Sequence, residues 1–468
     1  MNWRLILLIV FFFSRLASAG DVTEFCLDGE LDLGARYQGK RPASGESYPT
    51  TWCVVTEANS QRVFFTGRGR SNPDMDGSWS VAYLPPDTVR IVNRESPPDV
   101  EFYPTKILDE ALRVRRIDPR RILEEYRESP QALGDARVAI GGDKVMSVRT
   151  TADLPLRGRV KVEWNWDWTN AQAPILRLML DDTLLFKATG RWRDLEGDEA
   201  EAVWARTPGA APVEVPGDRW PATIDMQLIE LTDNVHLVRG VRTGFQHLVV
   251  ETGDGLVVAD APAGWVEFHH IPPYDLVPGL GVSGLSERLI DFLHEKFPTR
   301  PIRAVAVTHF HDDHAGGARA FAAAGAEIFV TSENLRFFQT ALNRSSMPDD
   351  RLSERATPAV VLPVDNPVLL GSEPSRVKLV RMGPGPHVDA MLGVFAMDEG
   401  YFFVSDVHVP RSDADTPRKE RAATECWFAR WAVNNLAPEV QVVNSHSTPI
   451  TPVARLEKYL DSDTCGDM

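Results

Sequence analysis

The chain has 468 residues, 43% hydrophobic and 25% charged, with a formal net charge of −16. That length exceeds what one hydrophobic core organises, so two or three soluble globular domains are expected. The acidic balance repels phosphate backbones and argues against nucleic acid as substrate or partner.

The first twenty residues, MNWRLILLIVFFFSRLASAG, stand apart. Arg4, the apolar run Leu5 to Phe13 and the small residues Ala17-Ser18-Ala19 have the order of a signal peptide over residues 1–19. The run is too short to span a bilayer, and no later run is long and apolar enough to do so. Removal would take the net charge to about −18. A periplasmic or secreted protein without stable membrane insertion is therefore expected. Export also makes disulfides feasible among Cys26, Cys53, Cys426 and Cys465. Cys26 with Cys53, and Cys426 with Cys465, would each fall within one proposed domain. Sequence alone leaves the connectivity open, and Cys426 also reads as a core residue of an apolar helix.

Strand signals dominate residues 21–215. "TWCVVTE", "SWSVAY", "TVRIVN" and "RVKVEWNWDW" alternate or carry β-formers. "ILRLMLDDTLLFKATG" reads as two strands around an Asp181-Asp182 turn. One helix is expected to start at Asp118-Pro119. The region is read as a mostly antiparallel β domain of unknown role. Trp164, Trp166 and Trp168 fall on one strand face, read as core packing with ligand contact as the alternative.

The stretch 196–225 is rich in Pro, Gly, Ala and acids without a sustained period, and reads as loop or linker. Beyond it, over residues 226–460, strands alternate with helices. The strand segments are NVHLVRG, FQHLVVETGDGLVVAD, IRAVAV, AEIFV, VKLVRM, GVFAM, YFFVSD and VQVVNSH. The helical ones are SERLIDFLHEKF, GARAFAAAG, ENLRFFQTAL, ERAATECWFARWAVNNL and PVARLEKYL. A mixed α/β sheet architecture follows, with functional residues expected on loops at strand ends.

One such end is dense in chemistry. After the apolar IRAVAV come Thr308, His309, Phe310, His311, Asp312, Asp313 and His314, then Gly316-Gly317. On an extended backbone His309 and His311 project the same way. Asp313 and His314 follow a bend and can face a neighbouring position, while the glycines permit close backbone approach. Four ligands on one loop cannot complete two coordination spheres, so later strand ends should supply more. His387 lies in the Gly/Pro-rich loop after VKLVRM, Asp406 follows YFFVS, and His446 follows VQVVNS.

HxHxDH followed by GG, with His, Asp and His on later strand ends, resembles the metallo-β-lactamase superfamily over about residues 226–460. The resemblance implies an αββα sandwich, here preceded by the mostly antiparallel β domain. It implies one metal on His309, His311 and His387, and a second on Asp313, His314 and His446, with Asp406 bridging. Two zinc ions are expected, with iron or manganese as alternatives. Asp260, ending GLVVAD, matches an acidic position that orients a ligand imidazole; a plain turn or cap is the other reading. Asp313 would also orient the nucleophile or shuttle its proton. Paired cations lower the pKa of a water from ~15.7 to about 7, enough for hydrolysis at neutral pH. His408, two residues beyond Asp406, is a candidate to face the site. His269 and His270 read as loop residues, and His236, His247 and His294 as ordinary strand or helix residues.

A fold does not fix a substrate. An acidic, exported chain fits the nuclease branches poorly, and export argues against a glyoxalase II-like role. Asp406 stands where the true β-lactamases usually carry Cys or another residue. The leading expectation is an exported dinuclear zinc hydrolase of an ester, lactone or related bond in a small-molecule substrate. The alternatives are a mononuclear iron oxidoreductase resembling persulfide dioxygenases, a β-lactamase-like amide hydrolase, and a binding or scaffold protein. The flavodiiron pattern has Glu where this chain has His311, which disfavours that branch.

Overall fold

A computed structural model describes strands between residues 22 and 167, with Arg120 and Arg127. It further describes residues 173–205 except 181–182, and residues 226–466 except 242–244, 263–283, 344–349, 356, 411–415 and 419–420. The expected signal peptide over residues 1–19, Trp168, most of the expected 118–128 helix, His269, His270 and residues 206–225 lie outside the described residues.

The N-terminal region forms one eleven-stranded antiparallel sheet. Its strands are β1 (Val22–Asp32), β2 (Ser47–Glu57), β3 (Val63–Gly69), β4 (Trp79–Leu84), β5 (Thr88–Asn93) and β6 (Val100–Pro104), then β7 (Arg137–Gly141), β8 (Val145–Leu154), β9 (Gly158–Asp167), β10 (Ile175–Leu180) and β11 (Thr183–Leu195). Two meanders run outward from the central β1–β11 pair. The Asp181-Asp182 reading corresponds to the β10–β11 hairpin, closed by the Leu180–Thr183 pair. Cys26 and Cys53 are directly opposed on β1 and β2 and form a disulfide. Within the stretch read as linker, the structure instead has helix α1 (Asp198–Ala205). Asp198, Glu199 and Glu201 in its first turn complement the positive end of the helix dipole, a start signal that the overall polar composition masked.

Two further sheets follow. The first contains β12 (Gln227–Glu230), β13 (Val235–Arg239), β14 (Gln246–Thr252), β15 (Gly255–Ala259), β16 (Ile302–Ala306), β17 (Glu327–Thr331) and β18 (Val361–Val364), in chain order. Its first four strands pair antiparallel and β15 to β18 pair parallel. The second contains β19 (Val368–Leu370), β20 (Val377–Gly383), β21 (Met391–Ala396), β22 (Tyr401–Phe403), β23 (Gln441–Val443) and β24 (Thr451–Pro452), also in order.

Side-chain alternation explains the layering. Val257, Ala259, Ala304 and Ala306 face the second sheet, where Leu379, Leu392, Val394 and Phe403 meet them. The intervening Leu256, Val258, Val305 and Val307 face helices. Apart from the exposed Arg303 near the start of β16, both faces of these strands are dry, which is why they read as apolar runs. The helices are α2 (Gly284–Lys296), α3 (Asp312–Ala315), α4 (Ala318–Ala324), α5 (Ser332–Asn343), α6 (Ala422–Asn435), α7 (Val453–Leu460) and α8 (Asp463–Gly466). Leu285, Leu289 and Leu293 of α2 and Phe321 of α4 cover the first sheet; Phe428 of α6 and Leu456 of α7 join the same core from the second. The result is an αββα sandwich.

Cys426 of α6 and Cys465 of α8 form a second disulfide, across a sequence separation of 39 residues. The loop-entropy relation gives it about 4 kcal/mol of stabilisation. Replacing both cysteines with alanine is expected to lower the stability of this sandwich by that order in chemical denaturation. An unchanged denaturation midpoint would contradict the assignment. Among the described residues no helix is long and apolar enough to cross a membrane.

Candidate metal centre

The site forms where β16 ends. Leu392 N–H donates to the Thr308 carbonyl at 2.8 Å, so the chain leaving β16 bridges to β21 of the facing sheet. Beyond Thr308 the backbone turns: the N–H groups of His314 and Ala315 donate to the His311 carbonyl, starting α3. Three bonds strap this turn to the end of β15. Asp260 N–H donates to Ala306, Ala261 N–H to His314, and Gly317 N–H to Ala261, at 2.7–2.9 Å. A Cβ at Gly317 would collide with Ser286 Oγ and the Pro262 carbonyl, which is the physical reason for glycine there.

The structure brings all seven sequence-predicted candidate ligands into two adjoining groups. One is His309, His311, His387 and Asp406; the other is Asp313, His314, Asp406 and His446. In each, one donor atom per residue lies within 4.8 Å of every other. His309 Nε2 is 2.9 Å from His311 Nδ1 and 3.2 Å from His387 Nε2. In the second group His314 Nε2 is 2.8 Å from Asp313 Oδ2 and 3.2 Å from His446 Nε2.

Asp406 belongs to both. Its Oδ1 is 2.9 Å from His314 Nε2 and 2.6 Å from His446 Nε2. Its Oδ2 is 3.0 Å from His387 Nε2 and 3.7 Å from His309 Nε2. One carboxylate therefore divides its two oxygens between the groups.

The outward ring nitrogens of His309 and His314 are held too. His309 Nδ1 is 3.1 Å from Thr308 Oγ1. His314 Nδ1 lies 2.9 Å from Asp260 Oδ2 and 2.8 Å from Ser405 Oγ. Asp260 Oδ1 accepts the Thr308 N–H at 2.8 Å, so one fully buried carboxylate fixes both the ring and the turn. Asp260 has a φ of 67°, a left-handed conformation that Asp tolerates better than most residues. Phe310 packs edge-on to His311, and Phe245 edge-on to His446.

Electrostatics separates the two groups. Burial, then the neighbouring His311 and His314, holds His309 well below the usual imidazole range. Burial, then His387, pushes His311 down to about 3. Both rings are neutral at pH 7 and offer lone pairs. Burial would also depress His314, but Asp313, Asp406 and Asp260 outweigh it and raise it well above the usual value. Burial opposes ionisation of Asp406, yet His314 and His446 hold its carboxyl well below the usual range. Imidazole nitrogens and carboxylate oxygens in fours suit zinc and also admit iron or manganese. The donor set fits a pair of divalent cations.

Other histidines lie elsewhere. His236 Nε2 pairs with Glu251, and His247 Nδ1 lies 3.1 Å from the Ala259 carbonyl. His294 is exposed on α2. His408, a candidate to face the site, is fully buried and packs on Phe428 and Tyr459 of the helical layer. Burial, then Arg421, Arg418 and Arg455, pushes its imidazole down to about 3, against about 6.5 for a free one. The unfolded chain binds a proton that the folded chain refuses, so stability falls as pH drops from 6.5 toward 3. At pH 5 this amounts to about 2 kcal/mol. His408→Phe is expected to flatten the decline in urea midpoint between pH 7.5 and pH 5. Parallel declines in variant and parent would contradict this.

Sequence reasoning missed the residues that hold these side chains in place: Ser405, Phe245, Gln246 and Asn444. Nothing in periodicity or spacing marks Ser405, Phe245 and Gln246, whose partners His314, His446 and Ser447 are distant in sequence. Asn444 closes a local turn onto His446 and Ser447, and the Asn-Ser-His-Ser stretch was the signal for it.

Residues 283–446 match the family model described as the metallo-beta-lactamase superfamily. No curated protein matches the chain. Among solved structures, a metallo-beta-lactamase from Pontibacter korlensis is similar at 16% identity and a TM-score of 0.35, over 50% of this chain and 96% of that one. A metallo beta lactamase from Hirschia baltica is similar at 19% identity and a TM-score of 0.35, over 50% of this chain and 95% of that one.

Proposed function

Because residues 283–446 carry a metallo-beta-lactamase superfamily domain, we propose that the protein is an exported dinuclear zinc hydrolase acting on an ester, lactone or related bond of a small molecule. Family and His/Asp cluster together support a metal-dependent hydrolase. The observation that carries the dinuclear reading is Asp406, whose two oxygens face different donor groups. A mononuclear iron oxidoreductase would use only one of the two donor groups. Aspartate at this position also disfavours β-lactam cleavage.

His309, His311 and His387 would hold one cation, Asp313, His314 and His446 the other, with Asp406 between them. When bound, the cations supply Lewis acidity and lower the pKa of a water to about 7. Asp313 orients the attacking water and accepts its proton. Asp260 and Thr308 keep the His314 and His309 rings turned inward, with Nε2 facing the reaction. Phe310 and Phe245 give the imidazoles apolar backing, which restricts competing water. Export rests on the signal-peptide pattern of residues 1–19.

The test is metal quantification on purified full-length protein, coupled to a panel of lactones, esters, thioesters, sulfate esters, phosphodiesters and β-lactams. Two zinc equivalents with hydrolysis of an ester or lactone, abolished in His311→Ala, is the expected result. A single iron with oxygen consumption would replace the hydrolase reading with the oxidoreductase one.

A further inference from the structure

His446 is the candidate ligand with the least support from its own strand. It follows β23, three residues long, whose antiparallel neighbour β24 has only two. The loop carrying it is held from the other sheet, at the start of β14. Gln246 is buried there, at 2% exposure. Its Nε2 donates to the carbonyls of Asn444 at 2.8 Å and Ser447 at 2.6 Å, and its backbone N–H donates to Ser445 at 2.9 Å. Three carbonyls flanking His446 are thus taken by one residue.

Gln246 is itself oriented. Arg239 Nε donates to Gln246 Oε1 at 2.9 Å, and Arg239 Nη2 reaches the Thr448 carbonyl at 3.3 Å. The amide must present two donors to the loop and one acceptor to the guanidinium, an inventory that Gln has and Glu, Met and Leu lack. Within the loop, Asn444 Oδ1 accepts the N–H groups of His446 and Ser447 at 2.9 and 2.7 Å, and Ser447 Oγ at 3.1 Å. This side-chain-closed turn presents the imidazole to Asp406 and His314. The clamp touches none of His309, His311 and His387, which arrive on other segments.

We propose that Gln246, braced by Arg239, is a positioning residue for His446 and sets the affinity of the Asp313–His314–Asp406–His446 group for its cation without setting that of the His309–His311–His387 group. The proposal rests on the two-cation reading above. A ligand ring displaced on a loosened loop loses binding at its own group, and supporting partners of this kind are worth about 10–100-fold in metal affinity.

The test is titration of the metal-free full-length protein with Zn2+ by calorimetry and with Co2+ by visible absorption. The parent is expected to take two equivalents. Gln246→Met and Gln246→Glu are expected to take the first as the parent does and the second about 10–100-fold more weakly. They should show a selective loss of the second Co2+ band and a melting curve that remains cooperative. Arg239→Met, which removes the brace and the Thr448 contact but keeps the three Gln246 bonds to the loop, is expected to weaken the second equivalent less; it supplies the measurement if the Gln246 variants do not fold. Variants that bind both cations as the parent does, or lose both equally, overturn the positioning role. A parent that takes fewer than two cations overturns instead the dinuclear reading on which the role depends.

Discussion

Asp406→Asn is expected to reduce the bound cations from two to one or none and to lower kcat/KM by more than the about 10–100-fold typical of a residue that merely supports a ligand. The reason is geometric. Asp406 Oδ1 lies 2.6 Å from His446 Nε2 and Oδ2 lies 3.0 Å from His387 Nε2, so no other side chain of the seven serves both groups. Asparagine keeps the shape but offers one acceptor oxygen, and it turns an NH2 donor toward imidazoles or a cation. It also removes the negative charge that His314 and His446 hold in its ionised form. Metal quantification and initial rates on the same preparation check this. Two tightly held cations with undiminished turnover would show that Asp406 does not bridge.

Asp260→Ala is expected to destabilise the fold by about 3–5 kcal/mol, the range for breaking one partner of a buried charged pair. The Thr308 N–H would lose its 2.8 Å acceptor and His314 Nδ1 its 2.9 Å partner, both in a dry setting. Alanine would also have to adopt a φ of 67°, which its Cβ resists. Asp260→Asn separates orientation from stability. Asparagine tolerates the left-handed conformation and can still accept from Thr308, but it cannot place a carboxylate against His314. It is expected to fold and to weaken the cation held with His314 by about 10–100-fold. Chemical denaturation and cation titration read the two effects separately. A cation affinity equal to the parent's would make Asp260 a simple turn residue.

Much of the sandwich was legible because its central strands, β15 and β16, are buried on both faces along most of their length. IRAVAV and GLVVAD could be read as buried strands without knowing their neighbours, since alternate residues meet a sheet on one side and helices on the other. The acidic first turn of α1 was overlooked inside a stretch whose composition resembles a linker. Cysteine pairing stayed open in the sequence because four cysteines admit three pairings; adjacency of β1 with β2, and of α6 with α8, brings specific sulfurs together.

The chain's residue types and their order determined by themselves that β16 ends in a cluster of imidazoles and carboxylates, because chemistry and strand period are local properties. Only tertiary structure decided which nitrogen of each ring faces inward, that His408 packs into the helical layer, and that Asp406 turns one oxygen to each group. Gln246 as the clamp on His446 belongs with these, since its partners lie about two hundred residues away. Hydrogen bonds of this kind depend on positions accurate to a few tenths of an ångström, which are set when two sheets pack and not by any spacing along the chain.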